Sequence, residues 1–219
     1  TYKDNNFLSD ELVHEIERMK LRDPDYWRVY GEGLKAIFSA RQIFNNWTFI
    51  DYDEFPEFDL DVEGIVGIDY GYSNDPTACV LVFKKHDRVY LHEIMYQKGL
   101  TNSDIVDILK AKGYGEVITY ADSAEPKSIE EMRRLGLYIK PATKGQGSIN
   151  AGISKLKEYD IIVSNESKNI LREYQSYYWE QLKDGTIINK PQDKENHLMD
   201  SIRYAVYSSF GKKENFFVI

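Results

Sequence analysis

The 219-residue chain is poor in several things, and each scarcity removes a class of explanation. It has one cysteine, so no internal disulfide can form and a disulfide-stapled scaffold is excluded. That residue, Cys79, sits in the apolar run Ala78-Cys-Val-Leu-Val-Phe and reads as a buried structural thiol that suits a reducing compartment. No apolar run approaches the roughly 18 residues that suggest a membrane span. No secretory leader is visible, and the opening Thr1-Tyr-Lys lacks an initiator Met, which reads as a fragment or a processed product. Excess positive charge is also missing: 28 Lys and Arg stand against 36 Asp and Glu, a formal net charge of −8. Non-specific nucleic-acid binding rests on neutralising phosphates with Lys and Arg. The balance therefore disfavours an autonomous nucleic-acid-binding module, though a local basic patch, metal ions or other domains could supply the attraction. Neither a P-loop ending in Gly-Lys-Ser/Thr nor a Gly-x-Gly-x-x-Gly run occurs, and there is no internal repeat.

What is present is a sizeable core and a legible order of elements. Apolar residues make up 42% of the chain. Residues 9–20 predict an amphipathic helix capped by Ser9, with Leu12, Val13, Ile16 and Met19 on one stripe and Asp23-Pro24 as its stop. The acidic, proline-bearing stretch 51–60 marks a loose boundary, dividing a leader over 1–60 from a domain over 61–219. Residues 64–70, 77–84 and 88–96 predict three strands joined by short loops, an antiparallel meander. Helix and strand then alternate: a helix over 102–112, a strand over 116–121, a helix over 126–135, a strand over 137–141, and a helix from Ser148, as cap, to about Tyr159. An extended segment over 161–163, a helix over 167–179, a hairpin strand over 185–189 and a last helix over 195–209 complete the chain. The expected class is α/β, a mixed sheet of meander plus parallel strands with helices on its faces.

Three aspartates stand at the ends of these elements. Asp69 closes the first meander strand in Gly64-Ile-Val-Gly-Ile-Asp-Tyr-Gly, and equally reads as a turn aspartate beside Gly71. Asp122 ends the fourth strand in Val117-Ile-Thr-Tyr-Ala-Asp-Ser, and equally reads as a helix cap. Asp200 lies early in the last helix, where the macrodipole favours any acid. If the first and fourth strands are neighbours, Asp69 and Asp122 meet at one sheet edge, roughly 4.8 Å apart by strand spacing. Clustered carboxylates repel, and a site that gathers three of them usually holds divalent cations. Helical projection puts Leu198, Ile202, Ala205 and Ser209 on one side and Asp200 on another, so periodicity leaves its direction open; His197, three residues earlier, lies on a nearby turn. The loop Lys144-Gly-Gln-Gly-Ser-Ile-Asn reads either as a flexible connection or as a DNA-backbone contact through Lys144, Gly145 and Gly147.

Taken in order, Ile65-Val-Gly-Ile-Asp-Tyr-Gly, Asp75-Pro-Thr-Ala, Thr119-Tyr-Ala-Asp-Ser-Ala-Glu-Pro, Lys144-Gly-Gln-Gly-Ser-Ile and His197-Leu-Met-Asp-Ser-Ile-Arg-Tyr-Ala resemble the C-terminal nuclease domain of the large terminase subunit of tailed bacteriophages. The resemblance covers about residues 60–210. The leader, from Asp4-Asn-Asn-Phe-Leu through Asp23-Pro-Asp-Tyr-Trp, resembles the exit from that family's ATPase motor. The resemblance implies an RNase H-like fold and endonuclease cleavage of concatemeric double-stranded viral DNA during packaging. Its catalytic and metal-binding residues fall on Asp69, Asp122, Asp200 and His197. Two Mg2+ or Mn2+ ions, about 3.5–4 Å apart, would serve the hydrolysis. The small terminase subunit and the portal are the implied partners, and the host cytoplasm the implied location. Two other readings stay open: another RNase H-like enzyme (a resolvase, an RNase H or a transposase core), or a catalytically silent interaction module of the same fold.

Overall fold

A computed structural model describes residues 41–56 and 63–210, together with Val13 and Glu17. The chain divides into two units, residues 1–42 and residues 43–219, and the fold below is that of the second. The helix predicted over 9–20 lies outside the described residues except for Val13 and Glu17, both helical. The second unit begins at Ile43, not near residue 60 as the acidic stretch led us to expect. The reason is packing: Ile43, Phe44 and Trp47 are buried in the core, and the Ile43 amide donates to the Tyr177 carbonyl.

Strands β1 (Thr48–Ile50), β2 (Glu63–Asp69), β3 (Thr77–Lys85), β4 (Arg88–Gln97), β5 (Ile118–Ala121), β6 (Ile139–Pro141) and β7 (Asp160–Ser164) form one sheet in the order β1-β7-β4-β3-β2-β5-β6. The pairs β2–β3 and β3–β4 are antiparallel, which is the expected meander; β5 and β7 join its two outer strands in parallel. The first seven residues of β3 are all buried, as befits a strand covered on both faces.

Helices α1 (Asn102–Ala111) and α2 (Pro126–Arg134) cover one face with Ile105, Leu109, Ile129 and Met132, against Val66, Ile68 and Cys79 of the sheet. Cys79 is fully buried, and burial pushes its thiol well above the usual range. Helices α3 (Ser148–Leu156), α4 (Lys168–Ser176) and α5 (His197–Ser209) cover the other face, with Ile153, Ile170, Leu198 and Ile202 against Ile65, Val80 and Val82. The expected mixed sheet with helices on both faces is thus present.

Two elements depart from expectation. The helix predicted over 167–179 ends at Ser176, because Tyr177 turns into the core with extended backbone; Trp179–Gln181 then forms β8, paired antiparallel with β9 (Ile187–Pro191). Ser148 is the first residue of α3 rather than its cap. Gly147 takes the cap position at φ +78°, a conformation that side chains disfavour. Among the described residues no helix is long and apolar enough to cross a membrane.

Candidate active site

Strand register brings two of the aspartates together. In the parallel pair β2–β5 the last matched residues are Ile68 and Ala121, and the Asp122 amide donates to the Ile68 carbonyl at 3.2 Å. Asp69 and Asp122 therefore stand side by side at one end of the sheet. Alternation decides their face. Val66 and Ile68 point to the α1–α2 side, so Asp69 points with Gly67 to the side of α5.

Gly67 is what lets α5 lie there. A Cβ at this position would stand 2.0 Å from the Ser201 carbonyl oxygen. With none, the helix settles on the strand, and Ser201 Oγ donates to the Ala78 carbonyl at 2.8 Å. His197, one turn before Ser201, consequently places Nδ1 3.1 Å from Asp69 Oδ2. Tyr204, one turn after, donates its hydroxyl to Asp122 Oδ2 at 3.1 Å. The helix positions 197, 201 and 204 thus form a polar stripe on the sheet edge, while Leu198, Ile202 and Ala205 fill the core as projected.

Each of the three carboxylates has its own basic partner. Asp69 is bonded to His197, whose Nε2 lies 3.6 Å from Asp75. Asp122 takes the Lys144 ammonium at 2.5 Å. Asp200 takes the Arg203 guanidinium through Nη2 at 3.0 Å and Nε at 3.3 Å. Both cations lie against the Tyr204 ring, Lys144 Nζ 5.0 Å and the Arg203 guanidinium carbon 4.7 Å from its centre.

Burial pushes the Asp69 carboxyl up to about 6, opposed by the His197 hydrogen bond and reinforced by repulsion from Asp200 and Asp122. That repulsion means the three acids share one electrostatic neighbourhood. Burial would also raise Asp122, but hydrogen bonds from Lys144 and the Ala124 amide outweigh it and hold this carboxyl below its usual value. The bond to Asp69 raises the His197 imidazole against the cost of its burial. Among the described residues, no three of His, Cys, Asp and Glu are gathered closely enough in this conformation to hold an ion.

The structure thus brings Asp69, Asp122 and His197 together, and sets Asp200 beside them but turned to Arg203. Lys144, expected on a DNA backbone, reaches back to Asp122; Gly145 and Gly147 lie in the loop that carries it. Sequence reading missed Arg203, Tyr204, Asp75 and Glu173 as members of this region. Arg203 follows Asp200 at i+3, the one signal that marked a pair in advance. Glu173 on α4 is fully buried, and burial pushes its carboxyl up to about 7 against hydrogen bonds from the Met199 amide, the Tyr96 hydroxyl and the Leu198 amide. Nothing in the linear pattern of α4 announces it.

Residues 69–208 match the family described as the terminase RNase H-like domain. The large terminase subunit of Bacillus phage SPP1 is 30% identical over 214 residues, a match covering 94% of this chain and 50% of that protein. The PBSX phage terminase large subunit of Bacillus subtilis is 25% identical over 212 residues, covering 94% and 49%. The chain therefore spans about half the length of these relatives. Among solved structures, the nuclease domain of the SPP1 large terminase with bound Mn has a TM-score of 0.65 at 28% identity, covering 75% of this chain and 96% of that one. The large terminase nuclease of thermophilic phage G20c with bound magnesium shares the fold at a TM-score of 0.59 and 20% identity, covering 78% and 98%.

Proposed function

Because the chain belongs to the terminase RNase H-like domain family, we propose that it is the nuclease part of a large terminase subunit. In this reading it is a divalent-metal-dependent endonuclease that cuts concatemeric double-stranded viral DNA during genome packaging in the host cytoplasm. The residues ahead of Ile43 would lead out of an ATPase motor, and the small terminase subunit and portal would be its partners. The observation that carries the reading is the meeting of Asp69 and Asp122 at one sheet end under a helix that brings Asp200 and His197.

The donor set fits a hard divalent cation. Carboxylate oxygens suit Mg2+ or Mn2+, and imidazole is a further transition-metal donor. The rise of Asp69 is what burial and crowding of acids produce when only protein cations offset the charge. Asp69, Asp122 and Asp200, with His197, would hold two such ions, which would supply charge neutralisation at a phosphodiester and a bound water of lowered pKa. The chain's own residues do the rest. Asp69, bonded to His197 Nδ1 at 3.1 Å, orients its ring. His197 presents Nδ1 to Asp69 at 3.1 Å and Nε2 towards the exposed Asp75 at 3.6 Å, so the ring nitrogen that would hold an ion is the one turned to Asp75. Lys144 is released from Asp122 to a DNA phosphate, next to the backbone amides of Gly145 and Gly147.

Supercoiled plasmid incubated with Mn2+ is expected to be nicked and linearised, and chelator is expected to stop it. Cutting that survives the chelator, or a chain that never cuts, sinks the proposal. Lys144 supplies a second check. Its ammonium competes with a cation for Asp122, so Lys144→Ala should tighten Mn2+ binding by roughly two- to fivefold, the worth of a partly exposed ion pair. Titration calorimetry without DNA measures this, and weaker binding would remove Lys144 as competitor.

A further inference from the structure

The start of α5 carries both His197 and Asp200, so whatever holds that helix end sets the geometry of the site. A helix leaves its first amides without partners in its own backbone. Its capping residue, Asn196, makes no side-chain capping bond. The donors are met from a different element: Glu173 Oε2, on α4, accepts from the Leu198 amide at 2.8 Å and the Met199 amide at 3.0 Å. Glu173 is fully buried, and the Tyr96 hydroxyl also hydrogen-bonds its carboxylate. A buried carboxylate needs a structural reason, and the two amides provide one. Its own helix is held in the same manner. Glu93 on β4 accepts from the Asn169 amide at 2.9 Å and from the Asn169 side chain at 2.5 Å, at the start of α4. Carboxylates thus tie β4 to α4 and α4 to α5. The Tyr96 ring, also on β4, lies 6.3 Å from the His197 ring.

We infer that Glu173 is a positioning residue of the proposed nuclease, which holds the first turn of α5 so that His197 meets Asp69 and Asp200 stays beside it. The inference rests on the functional reading above only for its effect on cleavage. A displacement of about 1 Å at a reacting centre is enough to cost activity heavily, and the cap residue of α5, Asn196, makes no side-chain capping bond of its own.

The test compares two conservative variants of the full chain. Glu173→Gln keeps an oxygen that accepts both amides and removes the charge. Glu173→Asp keeps the charge and draws the acceptor back by one methylene. In metal-free protein, Glu173→Asp should raise hydrogen exchange at the Leu198 and Met199 amides about tenfold or more and move the ring-nitrogen resonances of His197. Glu173→Gln should leave both near wild type. With Mn2+ and plasmid, Glu173→Asp should lower kcat about tenfold with KM for DNA unchanged, while Glu173→Gln keeps at least half the rate. A residue that merely adds stability would lower the melting temperature without moving the His197 resonances of the folded protein. Unchanged amide exchange in Glu173→Asp overturns the inference. So do unmoved His197 resonances, or a Glu173→Gln variant as impaired as Glu173→Asp. Should the wild-type chain neither bind Mn2+ nor cut DNA, the nuclease proposal fails, and the exchange and resonance results still decide what Glu173 holds.

Discussion

Asp69→Asn is expected to abolish DNA cleavage while leaving the fold intact. Asparagine has the same shape, and its side-chain oxygen can still accept the hydrogen bond that His197 makes to Asp69. What disappears is a negative charge that burial disfavours most and that the neighbouring Asp200 and Asp122 disfavour further. Removing a charge under those conditions does not destabilise the metal-free protein, so its melting temperature should hold or rise slightly. A divalent cation held at the proposed site would, by contrast, lose one of its carboxylates. The loss in kcat should reach about a thousandfold or more, at the upper end of what one electrostatic group contributes. Plasmid cleavage in Mn2+ and a melting curve without metal check both halves. A variant that cuts within tenfold of wild type would remove Asp69 from the reaction.

Gly67→Ala should damage the fold itself. The added methyl would meet a helix carbonyl, with Ser201 O at 2.0 Å and Ser201 C at 2.8 Å, and a backbone carbonyl cannot swing aside as a side-chain tip can. Helix α5 would have to lift from β2, and Leu198, Ile202 and Ala205, all fully buried, lie on that helix. Overpacking of this kind costs about 3 kcal/mol or more, which for a domain of this size lowers the melting temperature by about 10 °C. The folded fraction should also lose the contact of His197 with Asp69, because the same helix carries it. Gly145→Ala is the control: a Cβ there meets nothing within 4 Å, and the variant should melt like wild type. A Gly67→Ala protein as stable as the control would show that the helix does not rest on this strand.

The stretches that were legible in the sequence share one physical property. Strands β2, β3 and β4 appear within a residue of where their apolar runs and turn residues put them, because local composition and burial agree there. Helix α5 reads correctly for the same reason: Leu198, Ile202 and Ala205 recur on one side and are all buried. Where local signals and packing diverge, the reading fails. Tyr177 continues a plausible helix by composition, yet its ring is worth more in the core, so α4 stops before it. Strand β1 is three residues long and carries no period, and only its parallel pairing with β7 makes it a strand.

The linear chain by itself determined the order and kind of nearly every element of the sheet, since local periodicity needs no partner to be read; it offered the three acids and their histidine only as candidates. The tertiary structure alone decided that Asp69 and Asp122 are adjacent, that α5 descends onto Gly67, and that His197, Lys144 and Arg203 each take one carboxylate. Those facts depend on strand register and on contacts between residues far apart in the chain. Such contacts form only when burial of the two core faces brings the segments together, and they leave no mark on the spacing of residues along either segment.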